Sequence, residues 1–413
     1  MKILQLCKKF PFPLKDGEAI AINALSQSLH QLGCEVTLLC MNTSKHYFDI
    51  AQLPKEFNHY KAIHHVAVNT DIHWFAALKN LFQDSSYNID RFCSKGFRDR
   101  LVALLQKEQF DIIQLETLYL SPYVADIRAH SKAKIVMRAH NVEHEIWQRI
   151  TGNTSFFLKK WYLKHLTKKL RQYEIAQLNA YDMLLAITQR DLKRFQRLGF
   201  RNEGMVVPIG LRIDDYPEDF RSFERPLSLS FIGSLDWMPN QEGLNWFLEE
   251  IWPKLTQLYP ELSLHIAGRN TPKQMYRLND SRIKVYGEVE DASVFIREHS
   301  IMIVPLLSGS GMRAKILEGM ALNRVVLTTH LGLEGIEAEA GKEVLVADMV
   351  HAFVKRIEYI RQHPEVAVQI GRNARNFVET SYDSLQIGRR LAEQYQLLLE
   401  GKKLSTIPAE EEG

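Results

Sequence analysis

The chain has 413 residues, of which 46% are hydrophobic and 24% charged, with a formal net charge of +3. That length exceeds one ordinary core and suits two α/β domains of roughly 200 residues each. The near-balanced charge gives no support for nucleic-acid binding, and no apolar run approaches the roughly 18 residues of a transmembrane helix.

The first strand is predicted over Lys2–Cys7, and its apolar stretch ends in lysines rather than a cleavage site, unlike a signal peptide. A loop with Pro11, Pro13, Asp16 and Gly17 follows. Ile22, Leu25, Leu29 and Leu32 fall at helical spacing, and Gly33 is placed to end that helix. Glu35–Cys40 reads as a strand, and 69–107 as an irregular helical region whose apolar stripe is Trp74, Phe75, Leu78 and Phe82. Further strands are expected at Asp111–Leu115, Lys134–Arg138, Met183–Thr188 and Met205–Pro208. Arg212–Pro226 is charged, contains two prolines, lacks periodicity and reads as a linker.

The second half alternates more cleanly. Strands are predicted at Leu227–Gly233, Leu262–Gly268, Ile283–Gly287, Ile301–Leu306, Val325–Thr329 and Glu343–Ala347. Helices are expected around Leu244–Leu255, with Pro253 near the end, and at Gly311–Leu322, His351–Gln362, Glu365–Thr380 and Leu385–Leu399. Such alternation implies parallel sheets covered on both faces, with ligands held beyond the carboxyl ends of the strands. The expected layout is domain 1–211, linker 212–226, domain 227–382, a final helix within 383–403 crossing back to the first domain, and a disordered tail 404–413. Cys7, Cys34, Cys40 and Cys93 include no Cys-x-x-Cys pair and are expected to be reduced and buried, as suits a cytoplasmic protein.

The richest stretch is 305–321, where a strand enters a loop containing Gly309, Ser310 and Gly311 and then a helix. Backbone N–H groups in such a turn can approach an anion. Arg313 and Lys315 at the start of that helix oppose its dipole, at a cost of a few tenths of a kcal/mol each, unless a phosphate sits there. Glu318, one turn on, is a candidate acceptor for sugar hydroxyls, and a solvated helix face is the plainer reading of all three.

In the first half, the polar run Arg138–Glu145 follows a strand directly. It also contains His140-x-x-Glu143-His144, which fits an inverted zinc-peptidase pattern. Phe156–Glu174 combines the stripe Leu163, Leu166, Leu170, Tyr173 with Lys159, Lys160, Lys164, Lys168, Lys169 and Arg171. It reads either as a core-facing helix with a solvated basic face or as a contact for an anionic membrane surface or a lipid-linked acceptor.

Taken in order, several runs resemble the retaining glycosyltransferase family four, and the resemblance covers nearly the whole chain. They are the hinge-like Val207-Pro208-Ile209-Gly210, then Phe231-Ile232-Gly233-Ser234-Leu235, Ile266-Ala267-Gly268-Arg269, Val285-Tyr286-Gly287-Glu288-Val289 and the 305–321 stretch with Met312. The resemblance implies a GT-B fold, two Rossmann-like domains facing each other across a cleft. It implies transfer of a sugar, with retained configuration, from a nucleotide-sugar to a glycan or lipid-linked acceptor, without a resident cofactor or metal. Glu318 would hold the donor ribose, His140 would lie near the transferred sugar, and the loop of Gly17, with Lys15 and Glu18 nearby, would face donor phosphates or acceptor. Gly17 is equally well explained as a turn glycine.

Two departures stand out. Ser310 replaces the first of the family's paired glutamates, and 234–240 lacks the arginine and lysine that usually hold the diphosphate, a role Arg313 and Lys315 are placed to take over. A sugar-nucleotide epimerase of the same architecture and a binding protein without turnover remain as other readings.

Overall fold

The computed structural model describes residues 1–14, 16–55, 57–71, 85–309 and 311–402. Lys15, Ser310, the stripe Trp74, Phe75, Leu78 and Phe82, and the tail 404–413 lie outside the described residues. The chain divides into two compact units, Met1–Gly210 with the segment from Ser384 onward, and Leu211–Asp383.

The first unit holds a seven-stranded parallel sheet. Its strands are β1 (Lys2–Cys7), β2 (Glu35–Thr43), β3 (Ala62–Val68), β4 (Ile112–Leu115), β5 (Lys134–Ala139), β6 (Met183–Ala186) and β7 (Glu203–Val206), in spatial order β3-β2-β1-β4-β5-β6-β7. The inner strands are largely apolar because helices cover both faces, with Gln5, Gln114 and Arg138 as buried polar exceptions. Besides a single turn at Tyr87–Asp90, the helices among the described residues are α1 (Gly17–Gln31), α2 (Lys95–Lys107), α3 (Val124–His130), α4 (Glu143–Gly152), α5 (Phe157–Gln177) and α6 (Gln189–Arg197). β3 escapes the sequence pattern because it is an edge strand, only partly buried, whose apolar run is broken by His64 and His65.

The second unit holds a six-stranded parallel sheet, ordered β10-β9-β8-β11-β12-β13. The strands are β8 (Ser228–Ile232), β9 (Ser263–Ala267), β10 (Ile283–Gly287), β11 (Ile301–Val304), β12 (Val325–Thr328) and β13 (Leu345–Val346). α7 (Met238–Trp246) and α8 (Trp252–Leu258) run on from one another through a π turn at Phe247–Ile251 and together contain the helix expected there. Pro253, which has no N–H to donate, falls directly after the π turn, in the first turn of α8. α9 (Ala292–Arg297), α10 (Ala314–Ala321), α11 (Val350–Gln362) and α12 (Pro364–Ser381) complete the unit.

α13 (Ser384–Leu399) packs on α1 in the first unit, where Ile387, Leu391, Tyr395 and Leu398 share a core cluster with Ile22 and Leu25. The approach is so close that a Cβ on Gly388 would lie 2.6 Å from Ser28 Cβ.

Residues 212–226 are not a free tether. They form 3-10 turns at Ile213–Asp215 and Arg221–Glu224. The fully buried Arg324 donates to Ser222 Oγ and the Asp219 carbonyl, and Arg375 donates to the Tyr216 carbonyl. This segment therefore belongs to the second unit. All four cysteines are free, but Cys93 is exposed, contrary to expectation, because it lies in the turn just before α2 rather than in a strand.

Strand order reverses between β1 and β4 in the first unit and between β8 and β11 in the second. The carboxyl ends at these two switch points are where open α/β sheets hold ligands.

Candidate functional site

In the second unit, β11 leads into the loop 305–313. Gly309 (φ 108°) and Gly311 (φ 82°) adopt left-handed backbone that other residues rarely take. The helix consequently begins at Ala314, three residues later than the sequence suggests, with Arg313 as its N-cap residue. Arg313 is 5% exposed, and its guanidinium lies 5.9 Å from the Trp237 ring centroid.

Lys315 reaches from α10 back to the end of β8. Its ammonium donates to the Ile232 carbonyl at 3.2 Å and to Asn240 Oδ1 at 2.9 Å. It would lie 3.1 Å from a Cβ on Gly233. A cation thus stands at the switch point although the loop after β8 carries none. Burial, reinforced by Arg313, lowers the Lys315 pKa to about 7, with Glu318 pulling the other way. Asn240 also donates to the Ser234 carbonyl at 2.8 Å, fixing the turn after β8, and Ser234 Oγ donates to Asp236 at 2.5 Å.

Glu318 is half-buried and accepts a hydrogen bond from Tyr216 Oη at 3.1 Å. Burial raises its pKa, against the opposing pull of Tyr216 and Lys315. Tyr216 was hidden in the presumed linker, and Asn240 had no signal beyond its place at a helix start.

The expected glycines divide by role. A Cβ on Gly268 would sit 1.9 Å from the Gly233 carbonyl oxygen, so the close exits of β8 and β9 require that glycine. Gly287 has φ +74° and faces Tyr276 Oη. The Arg269 carbonyl accepts from the Leu235 N–H at 2.8 Å, joining the same two exits, while Val289 and Met312 are half-buried loop residues after β10 and before Arg313.

In the first unit, the switch point gathers residues from three strand ends. Glu116 follows β4 and is 0% exposed. It accepts from Gln5 Nε2 at 2.6 Å, from Gln114 Nε2, from Arg138 Nη1 at 3.5 Å, and pairs with His140 Nε2 at 3.1 Å. Tyr60 Oη donates to Gln5 at 2.9 Å, and Tyr395 Oη on α13 donates to Gln114 at 2.5 Å. Burial pushes Glu116 up, but Arg138, His140 and Gln5 outweigh it, and the carboxyl lies below its ordinary value. His140 directly follows β5 with its side chain 12% exposed, so the buried carboxylate orients its imidazole. Glu116 does not stand out in the sequence, although a carboxylate directly after the strand 112–115 is itself a signal.

Gly17 is the first residue of α1, capped by Asp16, whose side chain accepts from Ala19 N–H at 3.0 Å. Lys9 pairs with Asp16 at 2.7 Å and Lys8 with Glu18 at 3.3 Å. Burial would raise Glu18, but Lys8 and Lys9 more than offset it and hold the carboxyl at about 2. Glu143 is instead pushed by burial to about 7 and accepts from Tyr119 Oη at 2.9 Å.

The zinc-peptidase pattern is not realised. His140 precedes α4 and turns to Glu116, while His144 lies within α4 and pairs with Glu174 at 2.5 Å. Glu174 also accepts the Glu143 and His144 N–H groups, which makes the motif a helix cap supplied by α5. Among the described residues, no group of three or more His, Cys, Asp or Glu is placed to hold a metal ion.

Residues 16–215 match the family Glycosyltransferase Family 4, and residues 226–363 match Glycosyl transferases group 1. An uncharacterized 44.6 kDa protein in a cps region of Klebsiella pneumoniae is 23% identical over 303 residues, covering 70% of this chain and 75% of that protein. Sucrose-phosphate synthase from Thermosynechococcus elongatus superimposes with a TM-score of 0.70 at 14% identity, over 97% of this chain and all of that one. Anabaena HepE in complex with UDP gives 0.67 at 12% identity, over 96% and 100% of the two chains, and a second HepE structure contains UDP-glucose. Two parallel-sheet Rossmann-like units with family-four and group 1 domains in succession make this chain a glycosyltransferase of the GT-B superfamily.

Proposed function

We propose that the chain transfers a hexosyl group, with retention of anomeric configuration, from a nucleoside diphosphate sugar to a glycan or lipid-linked precursor of a surface polysaccharide. The observation that carries the donor half is Lys315, a half-buried cation brought to the second unit's switch point beside a glycine loop and a helix N-terminus. UDP and UDP-glucose in HepE support a nucleotide-sugar donor, and the cps-region relative supports the surface-polysaccharide acceptor.

In this reading, Lys315, Arg313 and the backbone N–H groups around Gly309 and Gly311 stabilise the diphosphate as the bond to the sugar breaks. Glu318 accepts the ribose hydroxyls. His140, oriented by Glu116, contacts the sugar or acceptor. Two cations aimed at the leaving group meet the need that a divalent metal meets elsewhere, so turnover is expected to survive chelation by EDTA.

Thermal-shift measurement against UDP, GDP, ADP and common nucleotide-sugars tests the donor site. One nucleoside diphosphate should stabilise the protein, and Glu318→Ala and Arg313→Ala should each abolish the shift. Absence of any shift at millimolar ligand would overturn the assignment. NMR of the first-formed product reports whether configuration is retained, and an inverted anomer would refute that part alone.

Tyr216 gives a subtler check. Its hydroxyl favours the ionised form of Glu318. Tyr216→Phe should therefore raise the Glu318 pKa and move the acid limb of the kcat/KM profile to higher pH. An unmoved limb would mean that Glu318 does not act as a carboxylate acceptor.

A further inference from the structure

α5 buries Leu163, Leu166, Thr167, Leu170 and Glu174 against the first unit. Its opposite face starts with large apolar side chains in water. Phe157 is 70% exposed, Leu158 56% and Trp161 62%, and the preceding Phe156 is 58% exposed. Lys164, Lys168 and Arg171 then continue the face at spacings of three and four, all exposed. From Ser155 to Tyr173 the sequence contains no Asp or Glu. The first turn of the helix carries no acid and its N-cap, Phe156, supplies no side-chain acceptor, so the positive end of the helix dipole adds to the lysines.

A core-facing helix with a solvated basic face accounts for the buried stripe and the charges. It leaves unexplained four large apolar side chains, each more than half exposed, within six residues. Aromatic side chains that enter the acyl boundary, beside ammonium groups held at the phosphate level, are what an anionic bilayer surface accommodates. No helix among the described residues is long and apolar enough to cross a membrane, so the contact is peripheral.

We infer that the exposed face of α5 docks the protein on an anionic lipid bilayer. The far end of the same helix carries Glu174, which holds the first turn of α4 just after His140. About 25 Å of continuous helix therefore links the docking residues to the His140 turn within one unit. The inference stands on exposure and charge, independently of the transfer reaction, and its readout is binding rather than turnover.

Flotation with vesicles of phosphatidylcholine alone and of phosphatidylcholine with phosphatidylglycerol tests it. The protein should float with the anionic vesicles at low salt, stay behind with the neutral ones, and be released by about 0.5 M salt. Each of Lys164→Glu and Lys168→Glu should weaken partitioning about fivefold or more. Phe157→Ser with Trp161→Ser should weaken it by about tenfold or more at unchanged charge. Melting temperatures and nucleotide-induced thermal shifts of these variants should match the parent, which separates lost docking from lost folding and from failure of the donor assignment. Equal binding to neutral vesicles, no flotation with anionic vesicles at low salt, or full binding by the Phe157/Trp161 variant would each overturn the proposal. So would self-association through this face without vesicle binding.

Discussion

Lys315→Met is expected to lower kcat/KM for sugar transfer by about 10²–10³-fold, or about 3–4 kcal/mol of transition-state stabilisation. It should do so while making the ligand-free protein more stable. Burial and Arg313 hold the Lys315 pKa at about 7, below its ordinary 10.5. Between those values the unfolded chain binds more protons than the folded one, so stability rises with pH across that window. Below about pH 7 the folded protein carries a costly, half-buried charge, which methionine removes. The gain there is on the order of 2 kcal/mol once partial solvent access is allowed for. A bound diphosphate supplies the missing anion and returns the proton, so donor affinity should fall as pH rises from 7 to 9. Calorimetry of nucleoside diphosphate binding in two buffers of different ionisation heat should show proton uptake in the parent and none in Lys315→Met. A variant that keeps full activity, or a parent that takes up no proton, would leave Lys315 as a mere tie between β8 and α7.

The alternation of strands and helices was legible because inner parallel strands are rich in apolar residues, as in Met183–Ala186 and Ile301–Val304. Boundaries were legible only where local chemistry dominates. Gly309 and Gly311 delay α10 to Ala314, and a composition that favoured a helix from Gly311 concealed their backbone geometry. Lys315 and Glu318 carried a local signal, being on one helix behind a glycine loop. Their partners Asn240 and Tyr216 lie 75 and 102 residues away, and such distances cannot be read from one sequence. Gly268 carries a requirement that one sequence does not display, because Gly233 approaches it in the fold. The histidine run at 140–144 fits a zinc-peptidase pattern by spacing alone, whereas its two carboxylate partners, Glu116 and Glu174, come from other elements and make it one oriented imidazole and one helix cap.

Glu116→Gln should destabilise the first unit by about 3–5 kcal/mol, the usual effect of removing one partner from a buried ion pair. Arg138, 1% exposed, would keep its charge without the carboxylate that balances it, while still donating Nη1 to the Ala21 carbonyl at 3.1 Å. In the parent, Arg138 and His140 hold Glu116 below its ordinary value despite burial. A carboxyl depressed in this way contributes stability that is present above the unfolded value near 4.5 and is lost as pH falls through the folded one. Glu116→Gln should therefore be less stable at neutral pH and flatter in its acid decline, which denaturant melts between pH 3 and 8 would reveal. His140→Ala separates orientation from stability. It leaves Glu116 paired with Arg138, so its stability loss should stay near 1 kcal/mol, while its transfer rate should fall further than that of Glu116→Gln, whose amide oxygen still accepts from the imidazole. If Glu116→Gln instead melts like the parent while losing as much activity as His140→Ala, the carboxylate acts on the substrate itself and is no longer a positioning residue behind His140.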